Sequence, residues 1–275
     1  KILLMNKACY KCPEWHGKPG QNLSGFIIKR VTDVPEAGAV AVEAEHEYSG
    51  ANVVQLYADD PENLFSIAFK TPPPDNTGVA HILEHSVLNG SKKYPVKEPF
   101  LEMLKMSMAT FLNAMTYPDK TVYPAASNVK KDFFNLFDVY LDAVFHADIT
   151  PSTLKQEGHH LAFQEPGNID SLLTIKGVVY NEMRGAFSDL DSLIARTGFT
   201  YLFEESPYSY ESGGDPESIT ELTYEQFCQF FERYYHPCNA RIFLYGDIDP
   251  EENFEFLNAR LQQCQPRPEN SPDVT

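Results

Sequence analysis

The sequence predicts an α+β domain, and three observations carry that expectation. Apolar, β-branched and aromatic runs crowd Gly25 to Lys70, and helical apolar spacing recurs between Val79 and Tyr235. The two patterns do not alternate regularly, as a doubly wound sheet would require. At 275 residues, with 43% hydrophobic and 22% charged side chains, the chain suits one large domain or two modest ones.

The elements follow in chain order. Residues 1–24, which include Gly17-Lys18-Pro19-Gly20, read as an irregular lead-in. Val53 to Tyr57 and Leu64 to Phe69, separated by Asp59-Asp60-Pro61-Glu62-Asn63, read as a hairpin within a sheet. Thr71-Pro72-Pro73-Pro74-Asp75 breaks the strand, Asn76 or Thr77 can cap, and a helix is expected from Val79 to Leu88 before Asn89-Gly90 stops it. A second helix is expected from Pro99 to Met108. Phe111 to Thr116 and Thr121 to Pro124 look extended around Tyr117-Pro118-Asp119-Lys120. Lys131 to Phe145, part of Leu172 to Met183, and Tyr224 to Tyr235 carry helical spacing, with a strand at Arg241 to Tyr245. The organisation expected is a lead-in over 1–24, one domain over 25–262, and the start of a linker over 263–275.

Charge and cysteine content exclude several classes. A formal charge of −17 disfavours binding to nucleic acid or anionic membrane, and would draw cationic ligands if the acids line a cavity. No apolar run is long enough for membrane insertion. Lys1 opens the chain, with neither a signal-peptide apolar region nor an Arg-rich presequence after it, so any address label is expected to have been removed or left out. Five cysteines do not make a disulfide framework and point to a reducing, intracellular setting. Cys9 and Cys12 form one C-x-x-C, but no second pair follows at zinc-ribbon spacing.

The chemistry gathers at His81-Ile82-Leu83-Glu84-His85. Residues four apart share a helix face, so His81 and His85 can chelate one ion while Glu84, three from His81, leans to the same side. Zinc with an open position needs three protein donors plus water, so another donor must come from elsewhere. Glu84 suits a different role, taking the proton of the attacking water as general base. A helix with two ordinary histidines would give the same five residues. The segment Gly177-Val178-Val179-Tyr180-Asn181-Glu182-Met183-Arg184-Gly185 narrows the choice, because Glu182 is a lone acid in an otherwise apolar stretch and would be costly there without a cation or metal.

These motifs, with Ser86 to Ser91, Tyr94-Pro95-Val96-Lys97-Glu98-Pro99-Phe100, Phe111 to Thr121, Gly213-Gly214-Asp215-Pro216 and His236-Pro237-Cys238-Asn239-Ala240-Arg241, resemble the presequence-protease branch of the pitrilysin and insulin-degrading-enzyme family of metallopeptidases. The resemblance covers roughly residues 25 to 262. It implies a pitrilysin-like fold, a mixed and mostly antiparallel sheet packed by helices, and a zinc ion held by His81, His85 and Glu182, the last lying 97 residues beyond His85. It implies hydrolysis of unfolded peptides, cleaved targeting presequences among them, inside a chamber closed by a C-terminal half that supplies an arginine and a tyrosine. Asn113, Ala114 and Met115 resemble the edge against which the substrate backbone is laid. Glu157 matches a Gln-Glu-Gly element expected beside the metal helix as an outer partner, and Ile175 stands where many relatives outside this branch carry another acid.

Two other readings stay open: a non-catalytic subunit of the same fold, and a small-molecule zinc hydrolase or lyase. His16, His46, His146, His159, His160 and His236 lack partners at ligand spacing and are expected to stay off the metal. The compartment expected is the mitochondrial matrix or a plastid for a eukaryotic source, and the cytoplasm for a bacterial one.

Overall fold

The computed structural model describes residues 12–96 and 99–268. Cys9 and the Lys97-Glu98 pair lie outside them. The sheet begins at β1 (Asn22–Leu23), inside the stretch read as lead-in, and β1 pairs antiparallel with β2 (Phe26–Val34). Antiparallel pairing continues through β3 (Ala39–His46) to β4 (Asn52–Ala58).

From β5 (Asn63–Lys70) the chain passes to α1 (Val79–Val87), α2 (Pro99–Met106), β6 (Phe111–Leu112), β7 (Met115–Thr116), β8 (Lys120–Ser127) and α3 (Lys130–Phe145). Then come α4 (Pro151–Glu157), the small sheet of β9 (His160–Phe163) and β10 (Leu173–Lys176), and α5 (Val178–Ala186). Last are α6 (Leu190–Leu202), α7 (Pro216–Ile219), α8 (Tyr224–Tyr234), β11 (Ala240–Gly246) and α9 (Pro250–Leu261). Beyond α9, Arg267 still packs on the sheet, its N–H donating to Tyr48 O at 2.8 Å.

The expected α+β architecture is present, with one nine-stranded sheet ordered β1-β2-β3-β4-β11-β5-β8-β6 and β7 also on β8. Only β11 and β4 run parallel within it. The expected hairpin between Val53–Tyr57 and Leu64–Phe69 does not form, because β11 inserts between β4 and β5 and pairs with both. Its alternating Ile242 and Leu244, both buried, fill a gap in the core that sequence neighbours alone would leave.

Alternation along β5 sends Phe65, Ile67 and Phe69 into one layer of helices. There Phe65 stacks on Phe137 of α3 with ring centroids 4.4 Å apart. Burial of each such side chain is worth about 1.5–3 kcal/mol, so α3 is anchored on the strand that leads directly into α1.

One local expectation is corrected and another is refined. Neither Asn76 nor Thr77 caps α1; Gly78 occupies the N-cap, Asn76 Oδ1 accepts the Glu211 N–H at 2.8 Å, and Thr77 donates to Asp75. Of the stretch Leu172 to Met183, expected to be helical in part, Val178 onward is helix, while Leu173 to Lys176 forms β10 paired with β9.

Gly177 marks that change, and a Cβ there would sit 1.9 Å from the Gly158 carbonyl oxygen. The contact between the end of α4 and the start of α5 therefore requires glycine. Gly177→Ala is expected to cost about 1–3 kcal/mol of stability through overpacking, read by denaturant unfolding of the purified chain; an unchanged midpoint would show that the two helices can part freely.

Candidate metal centre

α1 is buried almost all round, with Ile82 and Leu83 facing the core and His81, Glu84 and His85 facing a cavity of about 740 Å³. α5 brings Glu182 to the same cavity, its side chain 54% exposed and so open to whatever enters; since the helix buries only Val179 and Met183, the burial cost expected of a lone acid there does not arise. Donor atoms of His81, His85 and Glu182 lie within 4.8 Å of one another. Glu182 Oε1 is 3.8 Å from His81 Nε2, and its Oε2 is 3.7 Å from His85 Nε2.

The two imidazoles present Nε2 to this point because their other nitrogens are engaged. His81 Nδ1 donates to Gly213 O at 3.0 Å, and His85 Nδ1 lies 3.4 Å from Glu157 Oε2. Such outer partners fix the tautomer and the ring orientation of metal-binding histidines. Glu157 is itself buried at the end of α4, where Asn89 Nδ2 and Gln156 Nε2 donate to Oε1 at 2.6 and 3.0 Å. Ile175 lies on β10 opposite Leu161.

Burial alone would push the His85 pKa down, but the Glu157 hydrogen bond and the fields of Glu84, Glu157 and Glu182 hold it above its ordinary value. Burial would likewise raise the Glu157 pKa, and here His85 and Asn89 outweigh it, keeping the carboxyl below its usual range. Three carboxylates around two imidazoles make a place where added positive charge is favourable. A two-nitrogen, one-oxygen donor set with a solvent-facing side is the composition of an open zinc site. The residues therefore fit the ion.

Glu84 points into the cavity without joining the donor group, and Thr116 Oγ1 donates to its Oε2 at 2.6 Å. Thr116 belongs to β7, at the sheet edge expected to hold substrate. That edge is interrupted opposite Pro124, which has no N–H to give. Asn113 N–H still donates to Pro124 O at 3.1 Å, while the Asn113 carbonyl accepts from Tyr140 Oη at 3.2 Å in place of the missing donor. Ala114 N–H is taken by Asn113 Oδ1 at 3.0 Å, and Met115 returns to register against Val122. Asn113, Ala114 and Met115 all line the cavity.

Among the described residues, His46, His146, His159, His160 and His236 bond away from the donor group, His146 Nε2 with Cys264 Sγ at 3.8 Å. His46 bonds Ser49 and Asn258, His159 and His160 donate to backbone carbonyls, and His236 bonds Cys238. Sequence reasoning missed the partners of the central residues: Gly213 for His81, Thr116 for Glu84 and Asn89 for Glu157. Only Gly213, in a conspicuous Gly-Gly-Asp-Pro run, carried a local signal.

The family model described as Insulinase (Peptidase family M16) matches residues 71–175, and that described as Peptidase M16 inactive domain matches residues 221–275. Glu182 lies between the two. Protein HypA of Clostridium perfringens is 48% identical over 237 residues, covering 86% of this chain and 24% of its own length. Presequence protease 1, chloroplastic/mitochondrial, of Arabidopsis thaliana is 46% identical over 242 residues, covering 86% of this chain and 22% of its own. The fold matches the crystal structure of pitrilysin with a TM-score of 0.64 at 19% identity, over 92% of this chain and 26% of that one. The chain spans about a quarter of the length of these relatives. No described helix is long and apolar enough to cross a membrane. With both family models matched in order and relatives this similar over most of its length, the chain belongs to the M16 (insulinase) family of peptidases.

Proposed function

We propose that this chain is the metal-bearing part of a zinc endopeptidase that hydrolyses unfolded peptides, presequences among them. The observation that carries the reading is the convergence of His81, His85 and Glu182 within 4.8 Å of one another, with Glu84 beside them and outside the donor set. His81, His85 and Glu182 would hold the ion, which when bound supplies Lewis acidity toward a water and the scissile carbonyl. Glu84 accepts the proton of the attacking water. Thr116 occupies Oε2, which leaves Oε1 as the basic oxygen. Glu157 and Gly213 keep the two imidazoles in the ligating tautomer. Asn113, Ala114 and Met115 offer an interrupted edge to which an extended peptide backbone can add irrespective of side-chain sequence.

The acids of the cavity, Glu84, Glu157 and Glu182, favour a basic peptide. By likeness to the relatives, a eukaryotic source would place the protein in the mitochondrial matrix or a plastid, and a bacterial one in the cytoplasm.

Clamping the peptide and stabilising its developing oxyanion need further donors, and by resemblance these come from a C-terminal half outside residues 1–275. The purified chain is expected to bind one equivalent of zinc and to cut a basic, unstructured peptide slowly. Titrating in the remaining half as a separate polypeptide should raise the rate. Full activity of the chain alone would refute the shared site, since residues 1–275 would then contain every group that catalysis needs.

A further inference from the structure

We propose that Glu211, held by Arg196, is the positioning residue that fixes His81 as its Nδ1–H tautomer and so keeps Nε2 free to ligate. The proposal rests on the metal-centre reading for its purpose, though not for its geometry. His81 is oriented by the Gly213 carbonyl, and Gly213 lies in a Gly213-Gly214 pair, the most pliable backbone available. A carbonyl on such a segment holds its direction only if something restrains the residue that carries it.

Glu211 supplies that restraint at two points: its backbone carbonyl accepts the Gly214 N–H at 3.0 Å, and its side chain holds the preceding peptide unit. Its Oε1 accepts the Gly213 N–H at 3.2 Å, and its Oε2 accepts from Arg196 Nε at 2.7 Å. Arg196 reaches in from α6, a helix with no buried residue, and its guanidinium lies 3.2 Å from the centroid of the Phe187 ring. The pair is largely shielded, with side chains 15% and 24% exposed, so its attraction is less screened than that of a surface ion pair.

The ends of the loop are fixed separately. Asn76 Oδ1 and Asn76 O accept the N–H groups of Glu211 and Asp215, each at 2.8 Å, just ahead of α1. On its other side Gly213 abuts α5, where an added Cβ would meet Met183 Cε at 2.8 Å, next in sequence to Glu182. Asn76 and Met183 thus set the loop against both helices that carry the donor atoms, and the Glu211 carboxylate holds the turn between them.

If the Gly213 carbonyl swings away, the Nδ1–H of His81 loses its acceptor. Imidazole then reverts to the Nε2–H form it prefers in water, which puts the proton on the atom that faces Glu182. A metal would have to displace that proton before binding.

The test uses the purified, metal-free chain and reads the His81 tautomer by long-range ¹H–¹⁵N NMR at a pH well above the imidazole range. The same samples are then titrated with zinc against a chromophoric chelator. In the wild type His81 should be the Nδ1–H form. Glu211→Ala and Arg196→Met should shift it toward Nε2–H and weaken zinc binding about 10- to 100-fold, the usual cost of losing an outer partner. The double variant Arg196→Met/Glu211→Gln leaves no unpaired charge and keeps an amide oxygen for the Gly213 N–H. It should recover the wild-type tautomer and most of the affinity, which a merely destabilised loop would not do. An Nδ1–H tautomer persisting in Glu211→Ala, with zinc affinity within about twofold of wild type, would overturn the proposal. A wild-type chain that takes up no zinc would instead overturn the metal-centre reading, and the tautomer spectra would still decide the role of Glu211.

Discussion

Replacing Glu84 by glutamine in the complete enzyme is expected to lower peptide hydrolysis by about 100-fold or more, the usual scale for removing a positioned general base, while zinc content stays at wild-type level. Both halves of the expectation follow from the geometry. Glu84 stands outside the His81, His85 and Glu182 donor group, so the metal loses no partner. Thr116 Oγ1, now 2.6 Å from Glu84 Oε2, can donate equally well to a glutamine oxygen, so the side chain should keep its place. That orientation turns the amide NH₂ to the position of the basic oxygen, where it can donate but cannot take a proton at neutral pH. Measuring kcat alongside bound zinc separates the two effects. Near-normal turnover would move the base elsewhere, and loss of zinc would make Glu84 a ligand.

Glu182→Ala should act in the opposite way, on the metal first and on hydrolysis through it. The Glu182 carboxylate faces both imidazoles at 3.7 and 3.8 Å, and without it two nitrogens remain to hold the ion. Zinc affinity should fall by more than the about 10- to 100-fold that loss of an outer partner costs. The fold itself should be little disturbed, because a side chain 54% exposed contributes little to packing. Competition against a graded chelator series, with thermal unfolding of the metal-free protein as control, provides the measurement. Unchanged metal retention would exclude Glu182 as a donor.

What the sequence determined by itself was whatever depends on residues close along the chain. The i, i+4 placement of His81 and His85 and the lean of Glu84 follow from helix geometry alone. The helices at Val79, Pro99, Lys130 and Tyr224 start within one residue of where apolar spacing puts them. The expected α+β class needed only the order of the patterns.

Tertiary structure decided the rest, because the choices involved partners far apart in sequence. β11 separates β4 from β5 although it starts at Ala240 and they end at Ala58 and Lys70, since a strand's neighbours are set by which apolar faces complete the core rather than by proximity in the chain. Whether Leu173 to Lys176 is strand or helix depended on β9 being there to pair with it. The orientation of two central side chains was likewise settled by a distant group, Gly213 for His81 and Thr116 for Glu84, whereas Glu157, which faces His85, was already expected beside the metal helix from the resemblance. A backbone carbonyl or a lone hydroxyl has no periodicity to betray it, so local sequence names the residues that can do the chemistry and only the folded chain shows what aims them.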